Sequence, residues 1–308
     1  MGLVYLGTSD FAAVVLERLA AVERHRPALV VTRPDRPRGR GRRTASPPVA
    51  EAARALGLPL SQPPRVNEPQ AVAEIAAAGA AGAGPPVLVV CAFGALIGEP
   101  LLSAQEILNV HPSLLPRWRG AAPVERAIMA GDEQTGVSIM RLTAGLDEGP
   151  VCLAAAEPIA PTDTYGSLAG RLQELGSLLL LRVLDERPPF HEQSSEGVTY
   201  AEKIAAADRL LDPARPAVEL ERTVRALHPH IGARLALADG QALGVLAAAL
   251  PEGVGEPPPA GLLQVSEGRL LLGCSPGVLE LCEVQPPGGR PMDAASFLRG
   301  RGVPRLAA

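Results

Sequence analysis

Cysteine is scarce in this chain of 308 residues, which contains only four, at positions 91, 152, 274 and 282. Their spacing includes no CxxC pair of a zinc site, and their number is too low for a disulfide-stabilised fold. We therefore expect four reduced thiols in a cytoplasmic protein. Long apolar runs are also missing: none reaches the ~18 residues that a membrane helix needs, and the N-terminus has no basic segment of the kind that begins a signal peptide.

A large excess of either charge is missing as well. The chain has 29 Lys and Arg against 33 Asp and Glu, a net charge of −4, and 47% of its residues are hydrophobic. This composition excludes a disordered or fibrous protein, because disorder requires few apolar residues and a large net charge. At about 100–200 residues per domain, the length favours two globular domains.

Several motifs of common enzymes are absent. There is no GxSxG nucleophile elbow, no HExxH zinc motif and no P-loop. The first turn, Gly7–Phe11, keeps only the first glycine of the GxGxxG pattern that binds dinucleotides, so NAD binding is disfavoured. These absences favour direct group transfer without a metal or a covalent intermediate.

Short apolar runs alternate with amphipathic segments in the first part of the chain. Because parallel strands need crossover connections, which are usually helices, this alternation predicts an α/β domain with a parallel sheet over residues 1–188. The predicted strands are Leu3–Leu6, Ala28–Thr32, Val87–Val90, Ile107–Val110 and Val137–Leu142.

The rest of the chain has a different pattern. Residues 189–208 are polar and contain proline, which is typical of a linker. Residues 209–308 contain five short apolar runs separated by turn residues, which predicts a small β-barrel or sandwich. The runs are Ala233–Leu237, Ala242–Ala247, Gly261–Val265, Arg269–Leu272 and Val278–Val284.

One predicted strand leads into the motif NVHPSLLPRWRG. Asn109 and His111 are two residues apart, so alternation places both side chains on one face at the carboxyl end of the strand. Open α/β sheets bind their ligands at this edge. An amide can hydrogen-bond a developing oxyanion and an imidazole titrates near neutrality, so the pair suits attack on a carbonyl group. A single histidine is nevertheless more often structural than catalytic.

A carboxylate that could accompany this pair lies in the glycine-bracketed segment Gly145–Gly149, after another predicted strand. Asp147 can set the protonation of His111 and hold an incoming amine or a water molecule. The ordinary alternative is a turn carboxylate, because Asp is common beside Gly in turns.

The segment from Arg33 to Arg43 contains six arginines and one aspartate, although the whole chain is net negative. A locally positive loop on a negative body suits contact with a phosphate backbone. The alternative is a solvated Arg/Pro/Gly loop, and the composition predicts no regular structure in it.

These residues resemble the signature of the folate-dependent formyltransferases, in which a strand-end Asn, a His in an HxSLLP run and an Asp in a glycine-rich loop form the catalytic trio. The resemblance covers most of the chain and is strongest up to Ile204. Within the family, the chain is most similar to the members that formylate initiator methionyl-tRNA. The segments that carry this resemblance are GTSDFA, PDRPRGRG, VCAFG, NVHPSLLPRWRGAAPVERAI, TGVSIM, GLDEG and TYAEKI.

The resemblance implies a Rossmann-like formyltransferase domain followed by an OB-like C-terminal β-barrel that binds tRNA. The implied reaction moves the formyl group of a cosubstrate, 10-formyltetrahydrofolate, to the methionine amino group of initiator methionyl-tRNA for translation initiation, with no metal, in the cytoplasm. We expect a monomer. The implied catalytic residues are Asn109, His111 and Asp147; the folate contacts are Ser113, Leu114, Leu115 and Pro116; and the tRNA contacts are Arg38, Arg40, Arg42 and Arg43.

Other functions fit parts of this pattern. The same trio can formylate a small amine, such as a glycinamide nucleotide or an amino sugar nucleotide, and it can hydrolyse formyl-folate when water replaces the amine. A non-catalytic RNA-binding protein would use only the Arg segment and the C-terminal domain. The sequence also leaves open whether His111 or Asp147 is the final base.

Overall fold

The computed structural model describes residues 2–38, 43–82 and 84–307. The chain forms two compact units that interleave in sequence. The first contains Met1–Pro123, Thr135–Pro158 and Ala169–Ala201, and the second contains Val124–Gln134, Ile159–Leu168 and Glu202–Ala308. The second unit thus includes two segments from the range predicted for the first domain, and the limits 1–188, 189–208 and 209–308 stay a prediction.

Strands and helices are numbered here in chain order. The strands of the first half are β1 (Leu3–Gly7), β2 (Leu29–Val31), β3 (Arg36–Arg38), β4 (Arg43–Ala45), β5 (Leu60–Ser61), β6 (Val87–Cys91), β7 (Glu106–His111), β8 (Arg119–Gly120), β9 (Gln134–Arg141) and β10 (Val151–Pro158). They are followed by β11 (Tyr200–Ala201), β12 (Ala233–Ala236), β13 (Ala242–Ala249), β14 (Leu263–Ser266), β15 (Arg269–Gly273), β16 (Val278–Gln285) and β17 (Met292–Asp293). The α-helices are α1 (Asp10–Ala20), α2 (Pro48–Ala55), α3 (Pro69–Ala80), α4 (Leu101–Ala104), α5 (Pro123–Ala130), α6 (Tyr165–Glu186), α7 (Ala217–Leu227) and α8 (Ala294–Arg301).

The first unit is built on a seven-stranded sheet with the order β10-β9-β7-β6-β1-β2-β5. The five strands from β7 to β5 in this order pair in parallel. Every residue of β1, β2 and β6 is buried, which explains why these strands are continuous apolar runs instead of alternating ones. The predicted α/β domain with a parallel core sheet is confirmed.

The other end of the sheet differs from the prediction. β9 pairs antiparallel with β7, and β10, which the sequence pattern did not predict, lies beyond it. The run of buried residues in β9 indicates burial on both faces but carries no information on strand direction. An antiparallel strand at the end of a parallel sheet is a common arrangement in α/β folds.

The strand order reverses between β1 and β6, which places a ligand-binding crevice at the carboxyl ends of these strands. The turn after β1 supports this edge, because Thr8 Oγ1 donates a hydrogen bond of 2.7 Å to Phe93 O. Ser9 caps α1, since its Oγ accepts a hydrogen bond of 3.3 Å from Ala12 N. The first turn is therefore a capped strand-to-helix connection.

The Arg-rich segment is more regular than predicted where the structure describes it. β3 and β4 pair antiparallel, with Pro37 opposite Thr44. Proline is tolerated here because the two strands form a separate pair, in which both are edge strands. Local pairing of this kind does not require the apolar pattern that sequence interpretation depends on, so composition gave the wrong expectation.

The second unit contains an antiparallel sheet with the order β12-β13-β16-β15-β14, and β17 pairs with β16. Each of the five predicted strands is present, which confirms the β-rich C-terminal domain. Its core combines these strands with α7, whose Leu220 and Val224 are buried. The sequence pattern missed α7 and α8.

In the part of the chain that the structure describes, no helix combines the length and the apolar character needed to span a membrane. Within the same residues, no group of three or more His, Cys, Asp or Glu side chains is arranged to hold a metal ion.

Candidate active site

Strand β7 places two polar residues, Asn109 and His111, at its carboxyl end, on the edge of the sheet. Asn109 and His111 are 8% and 4% exposed, and both side chains lie on the same face because they are two residues apart. Buried polar side chains require partners. Asn109 has its partner in Asp147, on the loop after β9, and His111 hydrogen-bonds the carbonyl of Trp118 while its other ring nitrogen faces Asp147.

Asp147 lies between the other two side chains. Its Oδ1 is 3.5 Å from Asn109 Nδ2, and its Oδ2 is 3.6 Å from His111 Nδ1. Gly120 N donates a shorter hydrogen bond of 2.8 Å to Oδ2. The structure therefore brings together the three residues predicted from the sequence.

The backbone of Asp147 adopts φ = 48°, in the left-handed region that residues other than glycine rarely occupy. Such a conformation costs about 1–3 kcal/mol and persists where surrounding contacts fix it. Strain of this kind is common at functional sites, and here it directs the carboxylate of Asp147 toward β7.

The hydrogen bonds of His111 define which ring nitrogen faces the other catalytic candidates. His111 Nε2 lies 2.9 Å from the carbonyl oxygen of Trp118. A carbonyl can only accept, so Nε2 carries a hydrogen and donates it. Nδ1 is consequently the nitrogen that is directed at Asp147 and is available for proton exchange.

The run from Ser113 to Pro116 forms a turn next to β9. Ser113 is fully buried (0% exposed), and its hydroxyl donates a hydrogen bond of 2.7 Å to Arg117 O. Ser138 of β9 supports the same turn, because its hydroxyl donates to Ser113 O and accepts from Leu115 N. The side chain of Ser113 therefore closes the turn, whereas Leu114, Leu115 and Pro116 are partly exposed.

The sequence analysis missed a supporting segment, because residues 189–201 have the composition of a linker. Within the first unit, Trp118 N donates a hydrogen bond of 2.9 Å to Thr199 Oγ1, and β11 pairs with β8. Gln193 contacts the loop that carries Asp147. No apolar periodicity marks this segment, so only the tertiary structure shows that it packs against the site.

Two of the four candidate nucleic-acid residues belong to the β3–β4 pair. Arg38 ends β3 and Arg43 begins β4, whereas Arg40 and Arg42 lie outside the described residues. The base of this pair is fixed by Asp35, which accepts hydrogen bonds from Gln62 Nε2 at 2.7 Å and Ser46 Oγ at 3.0 Å. These two bonds hold the pKa of the Asp35 carboxyl below its usual value. The single acidic residue of the segment thus anchors it.

The cysteines do not contribute a nucleophile to this site. Cys91 ends β6 and is fully buried, and burial raises the pKa of its thiol to about 12. Burial also raises the pKa of Cys152 to about 11. The thiolate is the reactive form of cysteine, so these two side chains are inert near neutral pH.

Comparison with protein families decides the class to which this site belongs. A family model described as formyl transferase matches residues 1–184, and one described as formyl transferase, C-terminal domain, matches residues 203–302. The chain belongs to the formyltransferase family. Asn109, His111 and Asp147 all lie within the first match.

Curated relatives extend over nearly the whole chain. The methionyl-tRNA formyltransferase of Cereibacter sphaeroides is 43% identical over 99% of this chain and 97% of its own length. The protein of the same name from Dechloromonas aromatica is 41% identical over 97% of this chain and 96% of its own length.

Solved structures confirm the formyltransferase fold at lower identity. An N-formyltransferase from Helicobacter canadensis, in complex with folinic acid and dTDP-3-aminofucose, has a TM-score of 0.64 at 14% identity and covers 91% of this chain and 98% of its own. HypX from Aquifex aeolicus, in complex with tetrahydrofolic acid, has a TM-score of 0.60 at 16% identity and covers 99% of this chain. This chain spans about half the length of HypX (48%).

Proposed function

We propose that this formyltransferase transfers the formyl group of 10-formyltetrahydrofolate to the amino group of methionine on initiator methionyl-tRNA. The observation that supports the acceptor is the similarity to curated methionyl-tRNA formyltransferases over both domains, including the C-terminal one. The protein would act in the cytoplasm, where translation begins, and we propose that it does so as a monomer.

In the proposed mechanism, the methionyl amine attacks the formyl carbon. Asn109 and His111 stabilise the negative charge that forms, and Asp147 accepts a proton. The attack places a negative charge on the formyl oxygen, and Asn109 Nδ2 together with His111 Nδ1, when protonated, can donate hydrogen bonds to it. Asp147 accepts the proton that the amine must lose, directly or through water. When the tetrahedral intermediate collapses, the bond from the formyl carbon to N10 of the folate breaks, and N10 leaves as the amine of tetrahydrofolate after taking up a proton, which Asp147 can return. His111 Nε2 remains hydrogen-bonded to Trp118 O, so Nδ1 is the ring nitrogen that donates to the formyl oxygen.

We propose that the folate lies against the exposed part of the turn at Leu114, Leu115 and Pro116, with Ser113 shaping the turn from its buried position. Arg38 and Arg43 of the β3–β4 pair, together with Arg40 and Arg42 between them in the sequence, would bind the phosphate backbone of the tRNA. Asp35 holds the base of this pair in place.

The test is transfer of radiolabelled formyl from 10-formyltetrahydrofolate, with charged initiator tRNA, glycinamide ribonucleotide and buffer as competing acceptors. We expect label on methionyl-tRNA alone. Replacing the four arginines by serine should raise the KM for tRNA and should also reduce the salt dependence of tRNA binding, because fewer counterions are then released. Label on the small amine, or release of formate, would overturn the tRNA acceptor while leaving the fold and the trio in place.

A further inference from the structure

Gln193 makes four hydrogen bonds inside the first unit, although its segment has the composition of a linker. Its Nε2 donates to Asp147 O and to Gly149 O, each at 2.8 Å. Its Oε1 accepts from Arg119 Nε at 3.1 Å and from Arg119 Nη2 at 2.8 Å. The side-chain amide therefore joins the β8 strand to both ends of the short stretch that carries the Asp147 carboxylate.

The orientation of this amide follows from its partners. A guanidinium group can only donate hydrogen bonds and a carbonyl can only accept them. Arg119 therefore selects the amide oxygen of Gln193, and the two carbonyls select the amide nitrogen. Arg119 itself is only 8% exposed, so its guanidinium group needs this acceptor in place of water.

One of the two accepting carbonyls belongs to the strained residue itself, and the other lies two residues further along the chain. Asp147 has φ = 48°, and its carboxylate must lie within reach of Asn109 and His111. A donor group that binds the carbonyls of residues 147 and 149 together fixes the local backbone and hence the direction of the carboxylate. Small errors in such a direction are costly in catalysis, because about 1 Å of misplacement can reduce the rate about a hundredfold.

We propose that Gln193 is a positioning residue for formyl transfer, which holds Asp147 in its productive orientation and is itself oriented by Arg119. This proposal rests on the proposed catalytic role of Asp147. Gln193 does not need to touch either substrate, so its loss should affect turnover and leave substrate binding largely intact.

Two substitutions separate this role from a general structural one. Gln193→Leu removes all four hydrogen bonds. Gln193→Glu keeps an acceptor for Arg119 but, as a carboxylate, cannot donate to the carbonyls of Asp147 and Gly149. We expect both variants to lower kcat about 10- to 100-fold, while the KM values for formyl-folate and methionyl-tRNA change less than about threefold.

A matched control corrects for lost stability. Ile75→Val shortens a fully buried side chain of α3 in the core beside the sheet and should lower the Tm without lowering kcat. A wild-type kcat for Gln193→Glu would overturn the proposal, because the two bonds to the carbonyls would then be dispensable. The proposal would also be overturned if the Gln193 variants and Ile75→Val lost the same amount of Tm and the same fraction of kcat, because lost stability would then explain the whole effect.

The Asp147→Asn variant, measured in the same assay, separates the two proposals. Normal turnover of Asp147→Asn would refute the catalytic role of Asp147 itself. An inactive Asp147→Asn together with fully active Gln193 variants would refute only the positioning role of Gln193.

Discussion

Replacing Asp147 by asparagine removes one negative charge from the site and preserves the shape of the side chain. The amide oxygen of the variant can still accept the hydrogen bond of 2.8 Å that Gly120 N donates to Asp147. What disappears is the charge 3.6 Å from His111 Nδ1, in a pair whose side chains are 5% and 14% exposed. With that oxygen in place, the amide nitrogen of the variant faces Asn109 Nδ2 and cannot accept from it, so the variant removes the charge together with the acceptor at 3.5 Å.

The size of the effect follows from this separation. When His111 is protonated, as the proposed mechanism requires, the two opposite unit charges at 3.6 Å interact by ~4–5 kcal/mol at an effective dielectric constant of about 20. Since ~1.4 kcal/mol corresponds to a factor of ten in rate, complete loss of this interaction would slow the reaction by about three orders of magnitude. General acid–base groups contribute ~10²–10⁴-fold in other enzymes, which is the same range. We expect kcat of Asp147→Asn to be ~10²–10³-fold lower than that of the wild type, with both KM values within about threefold.

The assay is steady-state formylation of charged initiator tRNA, with folate binding followed separately by titration. Glu148→Gln is the matched control, because it makes the same chemical change one residue along the loop, in a side chain that is 55% exposed and whose Oε2 lies 3.9 Å from Arg119 Nη1, a contact that the amide oxygen of Gln can keep. We expect this control to retain kcat within about twofold, since an exposed charge is screened by water. Turnover of Asp147→Asn within about tenfold of the wild type would refute the proton-accepting role of Asp147.

Two further predictions concern stability and thiol chemistry. Hydrogen bonds from Arg126 lower the pKa of Asp208, so this carboxylate stabilises the fold above its unfolded pKa of about 3.9 and ceases to do so as the pH falls through its lower folded pKa. Urea unfolding of Asp208→Asn should therefore show a weaker loss of stability between about pH 5 and 3 than the wild type, and an unchanged pH dependence would contradict this assignment. Burial raises the pKa of Cys91 to about 12 and that of Cys152 to about 11, so iodoacetamide at about pH 8 should label neither thiol in the folded protein and both in guanidinium. Peptide mass spectrometry checks this, and rapid labelling of native Cys91 would show that the thiol is accessible.

The sequence predicted the parts of the fold in which local pattern and burial agree. β1 and β6 are buried on both faces, so their apolar runs are continuous and identify them as strands. β10 was missed because its residues are alanine-rich and alternate between partly buried and exposed positions. The pattern did not predict α7, although Leu220 and Val224 lie at helical spacing, because the short apolar runs and turn residues that follow it favour strands in this part of the chain.

The candidate trio could be found in the sequence because two of its members are fixed by short-range geometry. Alternation along β7 is sufficient to place Asn109 beside His111. Asp147 was a weaker prediction, since a carboxylate next to glycine is common in ordinary turns. Its position 3.5–3.6 Å from the other two depends on the pairing of β9 with β7, which no local pattern specifies.

The sequence by itself therefore determined the α/β core, the β-rich C-terminal domain and the residue types of the candidate site. These features depend on periodicity and spacing, which are properties of neighbours along the chain. The tertiary structure decided the direction of β9, the strained backbone of Asp147 and the contact of Gln193 with the loop 46 and 44 residues away. Such contacts join segments that carry no common pattern, because hydrogen bonds between distant residues depend on how the whole chain packs and leave no periodic signal in the sequence.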